Sequence, residues 1–339
     1  MNLWVGIALA VTAAFINGNF TVPLKRAQKW SWENSWAVYS LVALLVLPWA
    51  LAWLTLPRLG ETYGRLSAAE ILTPVVFGAG WGIAQVLLGI SVARVGMALT
   101  FAIVIGFSAS LGTLIPLLSH DPKVFLAVKG MSVLAGMAIM GGGIYLCAKA
   151  GREREAAQAA SRITEKSVSR SGYGAALAIT IIAGVLTPML NFALAFGRPV
   201  LERAVELGAS RANATYAVWA LALLGGLLVN LAYCGYLLRR NKTWGAFGAR
   251  SWDGLGAVVM GLMWMGSIAL YVVATTYLGP SGAAVGWGLF SIFVILAANL
   301  SGLVMGEWRV AGARTLRTLG LGLALLTMAS AVIAWGNRS

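Results

Sequence analysis

From Gly254 to Gly306 the chain carries no charged side chain. A helix of a water-soluble domain must show a polar face to solvent, and this run has none to show. At about 1.5 Å per residue, one helix of that length would exceed twice the ~30 Å hydrocarbon core of a bilayer, so the run folds back on itself. The turn belongs at Gly279-Pro280-Ser281-Gly282, where proline removes a backbone donor and the glycines accept tight-turn dihedrals.

The rest of the chain is written the same way. Met1 to Leu24, Asn34 to Pro57, Ile71 to Ala93, Val95 to Ser119, Gly130 to Ala148, Ser171 to Gly197, Ala212 to Leu238 and Thr318 to Asn337 each suit one crossing. With two in the long run, the expectation is an all-α membrane protein of ten transmembrane helices. The first span lacks a basic leader and is too long for a signal-peptide core, so it reads as a retained helix. A composition of 59% apolar and 11% charged residues, with mean hydropathy +0.82, excludes a soluble enzyme, a disordered tail and a disulfide scaffold. Cys147 and Cys234 lie inside apolar runs and build neither a metal cluster nor a disulfide framework.

The formal charge of +14 comes from 25 Lys and Arg spread through the short gaps between runs, not from one patch interleaved with exposed aromatics. Their partner is therefore the anionic face of a bilayer, not a nucleic acid. Most of them fall after the odd-numbered spans: Lys25, Arg26 and Lys29; Arg94; the 149–170 segment; Arg239, Arg240, Lys242 and Arg250; Arg309, Arg314 and Arg317. Basic residues in short loops stay cytoplasmic, so both termini are expected outside the cytoplasm of a bacterial inner membrane. Residues 149–170 then form a cytoplasmic linker, read as a solvated connector in preference to a regulatory segment.

The halves 1–148 and 171–339 resemble each other. Val75-Val76-Phe77-Gly78-Ala79-Gly80-Trp81 in the third span matches Val258-Val259-Met260-Gly261-Leu262-Met263-Trp264 in the eighth, with Gly96 and Gly279 following at the same offset. Asn19-Phe20 and Arg26 likewise match Asn191-Phe192 and Arg198 between the first and sixth. Five helices per half is an odd number, so the expected arrangement is two inverted five-helix repeats, a pattern of secondary transporters.

In such proteins, spans interrupted at corresponding places mark the substrate site. Asn17, Gly18 and Asn19 interrupt the first span, and Pro188 and Asn191 the sixth. Gly78, Trp81 and Gln85 share a helix face, as do Gly261, Trp264 and Tyr271. With Trp287 of the ninth-span region, the candidate substrate-binding set is Asn17, Asn19, Trp81, Gln85, Asn191, Trp264, Tyr271 and Trp287. Amides with indoles suit a sugar, whose hydroxyls need donors and acceptors and whose C–H face packs on aromatic rings. A packing account fits the same residues: indoles as core, Gly78 and Gly261 as close-approach points, and asparagines as interhelical bonds of about 1 kcal/mol. Trp30, Trp32 and Trp36 read as an interfacial belt.

Lys25-Arg26-Ala27-Gln28-Lys29-Trp30-Ser31-Trp32-Glu33, Phe77-Gly78-Ala79-Gly80-Trp81-Gly82, Gly261-Leu262-Met263-Trp264 and Glu307-Trp308 with Ala311-Gly312 resemble the bacterial L-rhamnose–proton symporters of the drug/metabolite transporter superfamily. The resemblance covers nearly the whole chain in order. It implies import of L-rhamnose or a related deoxyhexose or hexose with a proton, by alternating access. The chain departs from that pattern at Ala84-Gln85-Val86-Leu87-Leu88 and at Gly286-Trp287-Gly288-Leu289-Phe290. The rival within the same ten-helix fold is an exporter of amino acids or other small metabolites; monomer and homodimer both fit.

An enzyme is not expected, because the one histidine, His120, sits in a loop beside Asp121 and Pro122 and no acid lies at mid-span. Neither a metal nor an organic cofactor is expected, and the coupling ion would be a proton. All eleven acids lie at or beyond span ends, so a carrier would be an acid at a helix mouth. Glu33 is the first candidate and Glu307 the second, and a carboxylate complementing the helix dipole is the competing account of Glu33.

Overall fold

Every regular element of the computed structural model is helical among the residues it describes: 3–95, 100, 103–108, 110, 111, 115, 128–161, 173–249, 251–277, 282–306, 308, 309 and 311–336. In chain order these are α1 (Leu3–Gly18), α2 (Trp32–Ser40) continuing through a π segment (Leu41–Val46) into α3 (Leu47–Thr55), α4 (Leu59–Gly64), α5 (Ala68–Val95), α6 (Val128–Ser161), α7 (Tyr173–Leu186), α8 (Met189–Phe196), α9 (Arg198–Glu206), α10 (Arg211–Arg240), α11 (Asp253–Tyr277), α12 (Gly282–Val304) and α13 (Ala313–Gly336). Among the described residues, six stretches are long and apolar enough to cross a membrane: Trp32–Thr55, Ala68–Val92, Gly130–Ala157, Gly174–Glu206, Arg211–Arg240 and Asp253–Thr275. Trp4–Gly18 and Phe290–Val304 are shorter apolar helices. The expected turn at 279–281 and the linker beyond Ser161 lie outside the described residues.

Local chemistry accounts for the element ends. The first helix stops at Gly18, and the sixth predicted span breaks at Thr187-Pro188, where proline has no N–H for the ladder. Helix α6 runs beyond its predicted end at Ala148 to Ser161, because Arg152-Glu153-Arg154-Glu155-Ala156-Ala157 is a run of strong helix formers. The π segment precedes Pro48, so the helix accommodates an imino residue by loosening one turn instead of ending. Several threonine hydroxyls within the spans fold back on their own helix: Thr12 donates to the Ala8 carbonyl, Thr73 to Ala69, Thr180 to Ala176 and Thr187 to Ala183, each at 2.7–2.9 Å. This satisfies them where no water is available.

The chain forms two compact units. One is built from Asn2–Val86 with Met189–Thr276, the other from Leu87–Pro188 with Tyr277–Ser339. In the second, α6 and α13 approach closely: a Cβ on Gly322 would fall 2.7 Å from the Cys147 sulfur and one on Gly143 3.0 Å from the Gly322 carbonyl. Met140 and Ile144 pack there with Ile292, Ile295 and Leu326.

The first unit is organised around α10, whose residues from Ala214 to Leu227 are almost all buried. Its approach to α5 is backbone to backbone. A Cβ on Gly78 would lie 1.7 Å from the Ala222 carbonyl oxygen, and one on Gly225 2.0 Å from the Val75 carbonyl oxygen. Between membrane helices there is no hydrophobic drive, so such close dispersion contact holds them together. We expect Gly78→Ala and Gly225→Ala to force the helices apart at a cost of about 3 kcal/mol or more, read as loss of the monodisperse peak and a lowered unfolding temperature of the detergent-solubilised protein. Gly235→Ala, on the same helix but with open space around the added carbon, should leave both unchanged.

Candidate functional site

Helices α5 and α11 bring Trp81 and Trp264 together as a stacked pair, ring centroids 5.7 Å apart and planes inclined by 29°. The two indoles are 6% and 8% exposed. Trp81 is held from the α10 side, where a Cβ on Gly226 would sit 2.9 Å from its ring. Gly226 thus admits the indole and fixes its position in one step. The Trp264 ring meets Tyr39 of α2 edge-on at 6.4 Å. Both indoles lie three to four turns from the starts of their helices, about 16–20 Å deep.

Asn17, in the last turn of α1, donates through Nδ2 to Ser267 Oγ at 2.8 Å, and Ser267 donates to the Trp264 carbonyl at 2.6 Å. The interrupted first span is therefore tied to the indole-bearing helix through one hydroxyl. Asn19 instead turns its amide onto the Phe15 carbonyl at 2.8 Å, closing the end of its own helix. Gln85, one turn beyond Trp81, is half-buried and without a side-chain hydrogen bond among the described residues. Asn191 sits half-buried on α8, whose first residue Met189 puts its sulfur 2.1 Å from where a Gly80 Cβ would be. Tyr271 is buried two turns along α11 from Trp264. The Trp287 side chain and Glu307 lie outside the described residues. Gly78 and Gly261 serve close approach, Gly261 against Val42 and Ala43 of the π segment.

At the basic end of this unit the Lys25–Glu33 segment is clamped. Asp253 accepts backbone N–H bonds from Lys29 at 2.7 Å, Trp30 at 2.9 Å and Gln28 at 3.2 Å. Glu33, 4% exposed, accepts at Oε1 from Asn241 Nδ2 at 3.0 Å and Thr243 Oγ1 at 2.8 Å. Asn34 adds a bond from Nδ2 to the Thr243 carbonyl at 3.0 Å. Both asparagine and threonine partners belong to the connection between α10 and α11. Among the described residues no group of His, Cys, Asp and Glu is placed to hold a metal ion.

Asn230 of α10, not singled out from the sequence, accepts at Oδ1 from Trp36 Nε1 at 2.9 Å and donates to the Gly226 carbonyl at 2.8 Å. Its signal was present as an amide in mid-span, which must find partners. Beyond this bond, the Trp36 ring lies 5.0 Å from Trp32 and 4.7 Å from Tyr39.

Residues 2–339 match the family described as L-rhamnose-proton symport protein. The chain belongs to this family. It is 28% identical to an L-rhamnose-proton symporter of Cronobacter sakazakii over 98% of this chain and 96% of the relative. The corresponding proteins of Citrobacter koseri and Escherichia coli O1:K1 are also 28% identical, over 94% of this chain and 94% and 93% of their own lengths. No solved structure matches the chain significantly. The L-rhamnose-proton symport family consists of transporters, not enzymes, and the apolar helices make this member a multi-pass membrane protein.

The clamp yields a direct test. Asp253→Ala removes the one acceptor shared by three backbone donors and should lower the unfolding temperature of the solubilised protein, with increased trypsin cleavage after Lys29. Asp253→Asn, which keeps one carbonyl acceptor, should fall between it and wild type. Equal stability of all three would mean that the three N–H groups find water instead.

Proposed function

We propose that this chain imports L-rhamnose or a related deoxyhexose or hexose together with a proton, by alternating access across a bacterial inner membrane. The observation that carries the reading is the buried Trp81–Trp264 pair with the Asn17–Ser267 relay at its edge. Indole faces offer an apolar surface to the C–H face and methyl group of a deoxyhexose, and neutral amides read hydroxyls without attracting ions. Family membership points to the same substrate and coupling ion.

The architecture we infer is ten spans in two inverted five-helix repeats, 1–148 and 171–339, joined by a cytoplasmic linker over 149–170, with both termini outside. Two contacts support the repeat because it would exchange them. The third span meets the seventh at Gly78 and Ala222, and the eighth meets the second at Gly261 and Val42–Ala43. The compact units support it as well: one collects spans one to three with seven, eight and the later part of six, the other spans four and five with nine, ten and the earlier part of six. Trp81 and Trp264 then face each other across the repeat axis, which is where a substrate is held in such folds.

For coupling we assign Glu33 first and Glu307 second. A proton on Glu33 would weaken its acceptance from Asn241 and Thr243 and so release the α10–α11 connection from the mouth of α2. In proteoliposomes, an inward proton gradient should drive accumulation of labelled L-rhamnose by wild type. Trp264→Leu should raise KM by about tenfold or more. Glu33→Gln should keep rhamnose exchange and lose gradient-driven accumulation; full accumulation in both Glu33→Gln and Glu307→Gln would remove these carboxylates from the coupling step. A reporter active only when exported, fused after Arg162, should stay silent.

A further inference from the structure

The Trp81–Trp264 pair does not stand alone. From it an unbroken series of aromatic rings leads to the basic end of the same unit: Trp264 to Tyr39 at 6.4 Å, Tyr39 to Trp36 at 4.7 Å, Trp36 to Trp32 at 5.0 Å with planes only 17° apart, and Trp32 to Tyr233 at 6.3 Å. Trp32, Trp36 and Tyr39 fall at i, i+4 and i+7 and so form one stripe along α2. Burial is graded along the series. Tyr39, Trp264 and Trp81 are buried, whereas Trp36, Trp32 and Tyr233 remain partly accessible.

Packing alone does not ask for this composition. Two apolar helices in a bilayer are joined as well by leucine or alanine, which need no polar partner. Here a buried amide, 2% exposed, is committed to one indole: Asn230 holds Trp36 Nε1 at 2.9 Å while its own Nδ2 is anchored on the Gly226 carbonyl. That pair of bonds sets the plane of Trp36, and with it the stacking on Trp32 and the tilt against Tyr39. The same Gly226 lies against Trp81, so one turn of α10 positions both the inner end of the series and, through Asn230, the Trp36 ring midway along it. The series carries no carboxylate or ammonium, and the charged groups near its outer end, Lys29 and Arg239–Arg240 with Glu33, are either exposed or engaged by Asn241 and Thr243.

We propose that Trp32, Trp36 and Tyr39 form an aromatic track along which the sugar passes between the central Trp81–Trp264 pair and the basic mouth, and that Asn230 is the positioning residue that orients Trp36 within it. The inference rests on the sugar-transport reading above. A pyranose moving along such a stripe exchanges one ring contact for the next at each step, so it never faces the full loss of apolar contact between centre and mouth. Each missing ring inserts a step without a partner, which slows passage without changing affinity at the centre.

The test separates rate from affinity in the full-length protein reconstituted in liposomes, with labelled L-rhamnose as probe. Trp36→Leu should slow rhamnose exchange at saturating sugar by about tenfold, with the equilibrium Kd within about twofold of wild type. Retained binding certifies that the variant is folded. Trp36→Phe, which keeps a ring but drops the N–H that Asn230 holds, should slow exchange less than Trp36→Leu and about as much as Asn230→Leu. Asn230→Leu should slow exchange in the wild-type background but add nothing further to Trp36→Phe, because phenylalanine has no N–H for Asn230 to orient. If Trp36→Leu does not reconstitute, Trp32→Leu at the mouth carries the same expectation. Wild-type exchange in the leucine variants, or loss of binding as severe as in Trp264→Leu, overturns the track and leaves the transport function standing. A wild-type protein without rhamnose uptake overturns the function and the track with it.

Discussion

The contact on which the first unit depends is the approach of α5 to α10 with no side chain between them. Gly78 meets the Ala222 carbonyl, Gly225 the Val75 carbonyl, and Gly82 the Gly226 backbone. Three glycine-mediated contacts over two turns bring the helix axes closer than any ordinary side chain allows, and dispersion grows steeply as that gap closes. The position of Trp81 follows from this distance. A wider crossing would carry its indole away from Trp264 and away from the space that Gly226 leaves open.

Around that crossing, polar groups are placed by the rule that nothing in the hydrocarbon core goes unmatched without cost. Serine and threonine hydroxyls return to carbonyls one turn back, and Ser267 in doing so also accepts from Asn17 on another helix. The amides and carboxylates reach across elements: Asn17 to Ser267, Asn230 to Trp36, Glu33 to Asn241 and Thr243, Asp253 to three consecutive N–H groups. These long-range bonds sort into two layers. One lies about the indoles at depth, and the other holds the basic end of the unit, so the two ends of the candidate site are fixed by separate sets of hydrogen bonds.

Much of this was legible in the amino-acid order because its causes are local. Uncharged runs mark spans, Pro188 marks the break in the sixth, and Gly18 the end of the first. The pairing of Trp81 with Trp264 could be anticipated from the matching Val-Val-x-Gly-x-x-Trp stretches that carry them. What could not be read depends on which helices meet. Nothing in the sequence around Asp253 says that its carboxylate reaches Gln28–Trp30, more than two hundred residues away, and nothing around Trp36 says that its indole finds Asn230. Within Lys29-Trp30-Ser31-Trp32-Glu33 the backbone is captured by Asp253 and the Glu33 carboxylate by Asn241 and Thr243, partners that lie far away in the chain. The continuation of α6 to Ser161 was readable from helix propensity but was masked by the expectation that charge ends a membrane span.

The π segment at Leu41–Val46 has a consequence for the helix that carries the aromatic stripe. A π turn holds one residue more than the surrounding α ladder requires. The faces on either side of it are therefore out of phase by about 100°, and 3.6-residue counting from Trp32 does not extend to Trp49 or Trp53. The same helix can thus present rings inward over its first half and aim Trp53, 79% exposed, outward over its second. Gly261 of α11 presses on Val42 and Ala43 inside that loosened turn, so the surplus residue is pinned between two helices at the depth where the phase of the stripe is decided. A one-residue deletion there would act as a crank: it would keep the helix, its length and its hydropathy, and turn the stripe away from Trp264.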